Sequence, residues 1–198
     1  MKKHAQVIKR TCAVVMFFLL AGTTAIAQST WKVDPNHSKI TFMVTHSGIS
    51  DILGVFQEFD VSINAAQPDF SDAAFNLTIR TASIDTDVEN RDNHLRSADF
   101  FDVETYPELT FQSTAITAEG QNRYKLTGNM TLHGVTKSVT MNLWYRGTNT
   151  NPENNTQTAG FQLTGTLKRS DFGIGPNFPP PMLSDEVQIR ADGEFIKQ

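Results

Sequence analysis

The chain has one cysteine, Cys12, among 198 residues. Disulfides therefore contribute nothing to its stability, and the fold has to be held by its core. Basic residues are also few: 17 Lys and Arg face 21 Asp and Glu, a net charge of −4. Such a chain lacks the basic patch that neutralises phosphates, which excludes nucleic-acid binding as a function class. Apolar runs are equally scarce. The one from Ala13 to Ala21 is too short for a transmembrane helix, which needs about 20 apolar residues, and no later stretch comes near that length. No Gly-x-Ser-x-Gly elbow is present, no histidines stand at i, i+4 spacing, and no internal repeat is found. These absences argue against a serine hydrolase and a helical metal site, so no metal, no cofactor and no catalytic residue is expected.

The first residues read as an export signal. Lys2, Lys3, Lys9 and Arg10 form a basic region, Val14, Val15, Phe17, Phe18, Leu19 and Leu20 an apolar one, and Ala25-Ile26-Ala27 a small-residue cleavage site. Cys12 precedes the apolar region, so it is not the lipid-modified cysteine that would follow a cleavage site. The expected organisation is a secretory signal peptide over 1–27 and one domain over 28–198, exported to the periplasm or secreted. Removing the leader takes four basic residues with it and leaves a more acidic protein.

Beyond residue 28 the dominant signal is period-two alternation. Ile40, Phe42 and Val44 alternate with Thr41, Met43 and Thr45, and Phe75, Leu77 and Ile79 with Asn76, Thr78 and Arg80. Similar patterns cover Tyr124–Leu132, Val139–Tyr145, Phe161–Leu167 and Val187–Phe195, with shorter ones at Trp31–Val33, Phe59–Ile63 and Leu109–Phe111. Eight or nine antiparallel strands with one dry face predict an all-β domain, either a closed barrel or a sandwich. Long C-terminal strands and small inward residues (Gly128, Gly165, Ala191, Gly193) favour a barrel with room for a ligand; the competing reading makes the glycines bends or bulges. No Asp, Glu, Lys or Arg falls in the apolar register, so any acid–base chemistry has to sit at the rim. An apolar lining suits an apolar chain, at about 0.8 kcal/mol per buried CH₂. The candidate wall comprises Phe42, Val44, Phe59, Phe75, Leu77, Ile79, Phe111, Met130, Met141, Leu143, Phe161 and Leu163.

Two segments break the alternation. Arg91-Asp92-Asn93-His94-Leu95 and the following Ser97–Tyr106 gather charges, a histidine and the pair Phe100-Phe101. The segment is either where a site is built or a short connecting helix with solvated charges. Arg91, His94 and His46 are candidates to meet a polar headgroup, with Leu95 and Phe100 beside them, and Arg91 is expected to pair with Asp92, Asp99 or Asp102. A His94–carboxylate pair would serve a general acid or base equally well as a helix brace. The second segment, Ser170–Ser184, sets Phe172, Ile174, Phe178, Met182 and Leu183 among glycines and Pro179-Pro180-Pro181, and is expected to fold over the barrel mouth. His37 and His133 fall in turns and read as structural.

Taken together, Trp31-x-Val33-Asp34-Pro35-x-His37-Ser38, Phe42-x-Val44-x-His46, Gly54-x-Phe56, Arg91-Asp92-x-His94-Leu95, Asp99-Phe100-Phe101-Asp102, Tyr106-Pro107, Phe111-x-Ser113-Thr114, Gly128–Lys137 and Arg169-x-Asp171-Phe172-Gly173 resemble the YceI-like family. The resemblance implies an extended eight-stranded antiparallel lipocalin-like β-barrel with a short helix. It also implies a periplasmic or secreted protein whose tunnel takes an isoprenoid, quinone-tail or fatty-acyl chain. It supplies no catalytic residues. A lipid-binding protein is the leading expectation; a lipid-modifying enzyme using His94 and a ligand-free, partner-binding barrel are the alternatives. An exposed strand edge would also offer a route to a homodimer.

Overall fold

Alternation of apolar and polar residues is realised as ten antiparallel strands in the computed structural model, which describes residues 28–198. The signal-peptide reading of 1–27 lies outside the described residues. The strands are β1 (Ser29–His46), β2 (Ser50–Phe56), β3 (Phe59–Ala65), β4 (Ala74–Arg80), β5 (Ile84–Asp85), β6 (Glu108–Gly120), β7 (Arg123–Leu132), β8 (Val135–Thr150), β9 (Gln157–Lys168) and β10 (Glu186–Lys197). One helix, α1 (Glu89–Arg96), follows β5.

The sheet runs β10-β9-β8-β7-β6-β4-β3-β1, and the pairing of β1 with β10 closes it into a barrel of eight staves. Two staves are broken. β3 lies beside Ser29–Lys32 of β1 and β2 beside Ile40–His46, so both occupy one edge of the same strand. β5 likewise continues β4 and pairs with β2. Both breaks are pinned by Ser83, whose carbonyl accepts from Gln57 N at 3.1 Å and whose hydroxyl accepts from Glu58 N at 3.0 Å.

The nine alternating segments become eight staves because Trp31–Val33 and Ile40–Val44 belong to one strand, bulged between Asp34 and Lys39. β2 escaped the pattern because the middle of its inward positions, between Ile52 and Phe56, is Gly54. A side chain there would collide with the Phe42 ring, 2.2 Å from where a Cβ would stand. Phe42 covers the glycine, and the alternation loses its apolar mark.

The same geometry corrects the expectation that the inward glycines leave space. A Cβ at Gly128 would lie 2.5 Å from the Phe111 ring, and one at Gly165 would lie 2.1 Å from Met141 Sδ. These glycines admit a large neighbour across the sheet and open no cavity. Ala191 and Gly193 do border the cavity. At Leu132–Val135 the two-residue turn His133-Gly134 has φ of +50° and +74°, the left-handed pair that tight hairpins require.

One end of the barrel is plugged. Phe70, on the β3–β4 connection, is buried against Trp31, Tyr145 and Phe161 at centroid distances of 5.2, 4.9 and 5.0 Å. Asp72 fixes this connection by accepting from Ala66 N and Gln67 N, and Tyr124 Oη donates to Asp69 O. The opposite end carries α1 and the 169–185 segment and forms the mouth.

Candidate functional site: an apolar cavity with a two-part mouth

Below the mouth the staves enclose a cavity of about 450 Å³, within the range of roughly 300–1,000 Å³ usual for small-molecule sites. Phe42, Val44, Phe59, Phe75, Leu77, Ile79, Phe111, Met130, Met141, Leu143, Phe161 and Leu163 all border it, as do Leu95, Phe100, Phe172, His46, Arg91 and His94. The structure thus gathers every candidate residue around one space. The polar groups that reach it are few, and His46, Thr86, Arg91, His94, Lys168 and Arg169 stand toward the mouth.

Helix α1 forms one half of the mouth. It begins without a side-chain cap, with Glu89 and Asp92 in its first turn to complement the helix dipole, and it ends where Ser97 Oγ donates to His94 O at 2.7 Å. Asp92 is buried, and its Oδ1 accepts from Thr86 N at 2.9 Å and Thr86 Oγ1 at 2.5 Å. Arg91 Nε donates to that same hydroxyl at 2.7 Å, and Nη2 donates to Thr86 O at 2.5 Å. This corrects the expected ion pair: Arg91 bonds to none of Asp92, Asp99 and Asp102, and Thr86 stands between the guanidinium and Asp92. The physical reason is reach. Successive helical residues point in different directions, whereas the residue ahead of the helix lies under both side chains. Asp99 instead bonds His94, Nε2 to Oδ2 at 3.0 Å, with both groups about half exposed.

The 169–185 segment forms the other half. Phe178 stacks on Phe100 at 4.8 Å, and the His94 ring meets both edge-on at 5.1 and 5.4 Å. Leu183 bridges to His46, and Ser184 N donates to Thr45 O at 2.9 Å, fastening the segment to the end of β1. Its anchor is Arg169, 7% exposed. Nε donates to Ser184 O, Nη1 to Ile174 O and Gly175 O, and Nη2 to Phe178 O and Leu183 O. All five N–H groups of the guanidinium are thereby used on backbone carbonyls. Burial lowers the Arg169 pKa and Asp185 partly offsets it, but an arginine remains a cation in any case. Burial pushes the Asp185 carboxyl up, yet two bonds from Ser170 and the Arg169 charge bring it below its usual value.

Arg169, Thr86, Phe178 and the Phe70 plug were not among the candidates. Two of them left a signal: Phe178 in the apolar segment expected over the mouth, and Arg169 ahead of a proline-rich stretch whose carbonyls need donors. His133 proves structural, its Nδ1 3.2 Å from Phe172 O and its ring edge-on to Tyr106. His37 bonds Asp34 Oδ2 at 2.8 Å in the β1 bulge.

An eight-stranded lipocalin-like barrel around one apolar cavity, plugged at one end and covered at the other, is a ligand-holding architecture. Residues 31–195 match the model of the YceI-like domain, and the chain belongs to that family. It is 37% identical over 178 residues to a UPF0312 protein of Pectobacterium carotovorum, covering 90% of this chain and 91% of that one. It is 36% identical over 182 residues to Protein YceI of Salmonella arizonae, covering 91% and 93%. Among solved structures, Burkholderia cenocepacia BcnA superposes with a TM-score of 0.71 at 29% identity, over 82% of this chain and 98% of that one. A polyisoprenoid-binding domain from Saccharophagus degradans has the same fold, with a TM-score of 0.61 at 16% identity over 83% and 97%.

Proposed function

We propose that this protein is an exported carrier that holds one long apolar chain, of isoprenoid, quinone-tail or fatty-acyl type, in the barrel cavity. The observation that carries the reading is the wall: a space of about 450 Å³ bordered almost wholly by aliphatic and aromatic side chains. A chain of ten methylenes moved there from water would gain about 8 kcal/mol before the costs of association. The Saccharophagus degradans neighbour, a polyisoprenoid-binding domain, agrees with this class of ligand. The basic, apolar and small-residue pattern of 1–27 supports export to the periplasm or beyond.

The headgroup belongs at the mouth. Arg169 has no donor left for a ligand, so His94, Arg91 and His46, with Lys168 beside them, are the groups that would meet it. Organic extraction of the purified protein followed by mass spectrometry tests the reading. A stoichiometric long-chain lipid is expected, and an empty cavity in protein from several lipid-replete preparations would overturn it.

The His94–Asp99 bond is what a lipid-modifying enzyme would use as an acid or base. Comparing extracts of the native protein and His94→Gln separates the two readings. A carrier keeps the same molecule, with affinity lowered by about one hydrogen bond, roughly 1 kcal/mol. An enzyme accumulates a chemically different one.

A further inference from the structure

The most exposed large apolar side chain among the described residues is Ile49, 88% exposed at the β1–β2 turn, and Met182, 51% exposed, belongs to the segment lying against that turn. Ser47 N donates to Met182 O at 2.9 Å, and a Cβ on Gly48 would touch Pro181 at 3.6 Å. Turn and segment therefore make one tip. Pro179, Pro180 and Pro181 are exposed on it. Met182 also borders the cavity, as do His46 and Ile52 on either side of the turn, so the tip stands at the rim of the mouth.

Two properties of the tip are unusual for surface loops of an acidic protein. It carries no charge: neither 47–50 nor 172–184 contains Asp, Glu, Lys or Arg. Its backbone donors are also largely used internally or missing. Three successive prolines have no N–H, while Ile49 N, Met182 N and Ser184 N donate to His46 O, Pro179 O and Thr45 O. Next to the tip, Arg169 takes up the flanking carbonyls of Ile174, Gly175, Phe178, Leu183 and Ser184. A backbone with satisfied or missing donors and no charge is what a hydrocarbon boundary requires, since unpaired polar groups are costly there. A protein partner would be specified instead by free donors and charges, with a hydrogen bond every 100–200 Å² or so.

We infer that the tip formed by Ser47–Ile49 and Pro179–Met182 docks the cavity mouth on a lipid surface, inserting Ile49 and Met182 as apolar anchors. The inference rests on the lipid-carrier reading, because a chain that enters the cavity has to come from such a surface. It commits to apolar insertion without electrostatic attraction.

The test is flotation of the purified protein with phosphatidylcholine vesicles, alone and with added phosphatidylglycerol. Binding to phosphatidylcholine is expected to persist when salt is raised, and phosphatidylglycerol should not strengthen it. Ile49→Asp, which borders no part of the cavity, should weaken vesicle binding by about tenfold or more while leaving the extracted lipid unchanged. Met182→Asp should weaken vesicle binding independently. Native-like binding by both variants would overturn the inference, as would a protein that carries lipid yet does not float with vesicles. A native dimer that either variant dissociates would also overturn it, in favour of a second copy on the tip. Vesicle binding by a protein without cavity lipid would instead sink the carrier reading and leave the docking tip standing.

Discussion

Arg169 bonds more of the backbone than any other side chain at the mouth. Its planar fork reaches five carbonyls at once, which lysine, with one compact ammonium, cannot do. Arg169→Lys should keep the charge and lose the strap, at a cost of about 3 kcal/mol or more. Thermal melting would then fall by roughly 6–12 °C for a domain of this size; an unshifted melt would show the strap held by its apolar contacts alone. At the far bulge, the bond to Asp34 raises the His37 pKa above 6.5, and the bond from His37 lowers the Asp34 pKa below 3.8. The histidine's contribution is complete below pH 6.5 and fades as pH rises through the raised pKa. The aspartate's is complete above pH 3.8 and fades as pH falls through the lowered one. The pair is therefore fully formed between those limits. An NMR titration should find the His37 midpoint above 6.5, returning toward it in Asp34→Asn.

At the scale of strands and loops, the glycines divide by what covers them. Gly165 faces Met141, whose Sδ occupies the volume a Cβ would need. Gly165→Ala should displace Met141 into the cavity it borders, with a cost of about 1–3 kcal/mol. Lipid loading should drop together with stability, and a crystal structure with Met141 unmoved would refute the account. Apart from β2 and β5, the strands themselves were legible, because period-two alternation is written directly in side-chain type. The breaks between β2 and β3 and between β4 and β5 were not, since they depend on Ser83 bonding across the sheet. The turn at His133-Gly134 was readable from Gly134. The plug was not, because Phe70 in Gln67-Pro68-Asp69-Phe70 looks like one aromatic in a polar loop until Trp31, Tyr145 and Phe161 surround it.

For the whole molecule, closure of β1 on β10 turns eight amphipathic strands into a wall around a single space. Ala191 is among the small side chains left on that wall. Ala191→Phe should fill the cavity and abolish lipid co-purification while the β circular dichroism spectrum persists. Retained lipid in the folded variant would mean that the chain lies elsewhere.

The sequence by itself determined which residues face inward, because alternation in a strand leaves no other choice, and it determined that charge stays out of that face. It also marked the two irregular segments that meet at the mouth. Tertiary structure decided what those segments do. Phe178 reaches Phe100 across some 80 positions of chain, Thr86 takes the place expected of an acid beside Arg91, and Arg169 gathers carbonyls from a loop that periodicity cannot describe. The physical reason is that alternation is a local property of the backbone, whereas a hydrogen-bond hub and a stacked aromatic lid are satisfied only when distant residues are brought within a few ångströms.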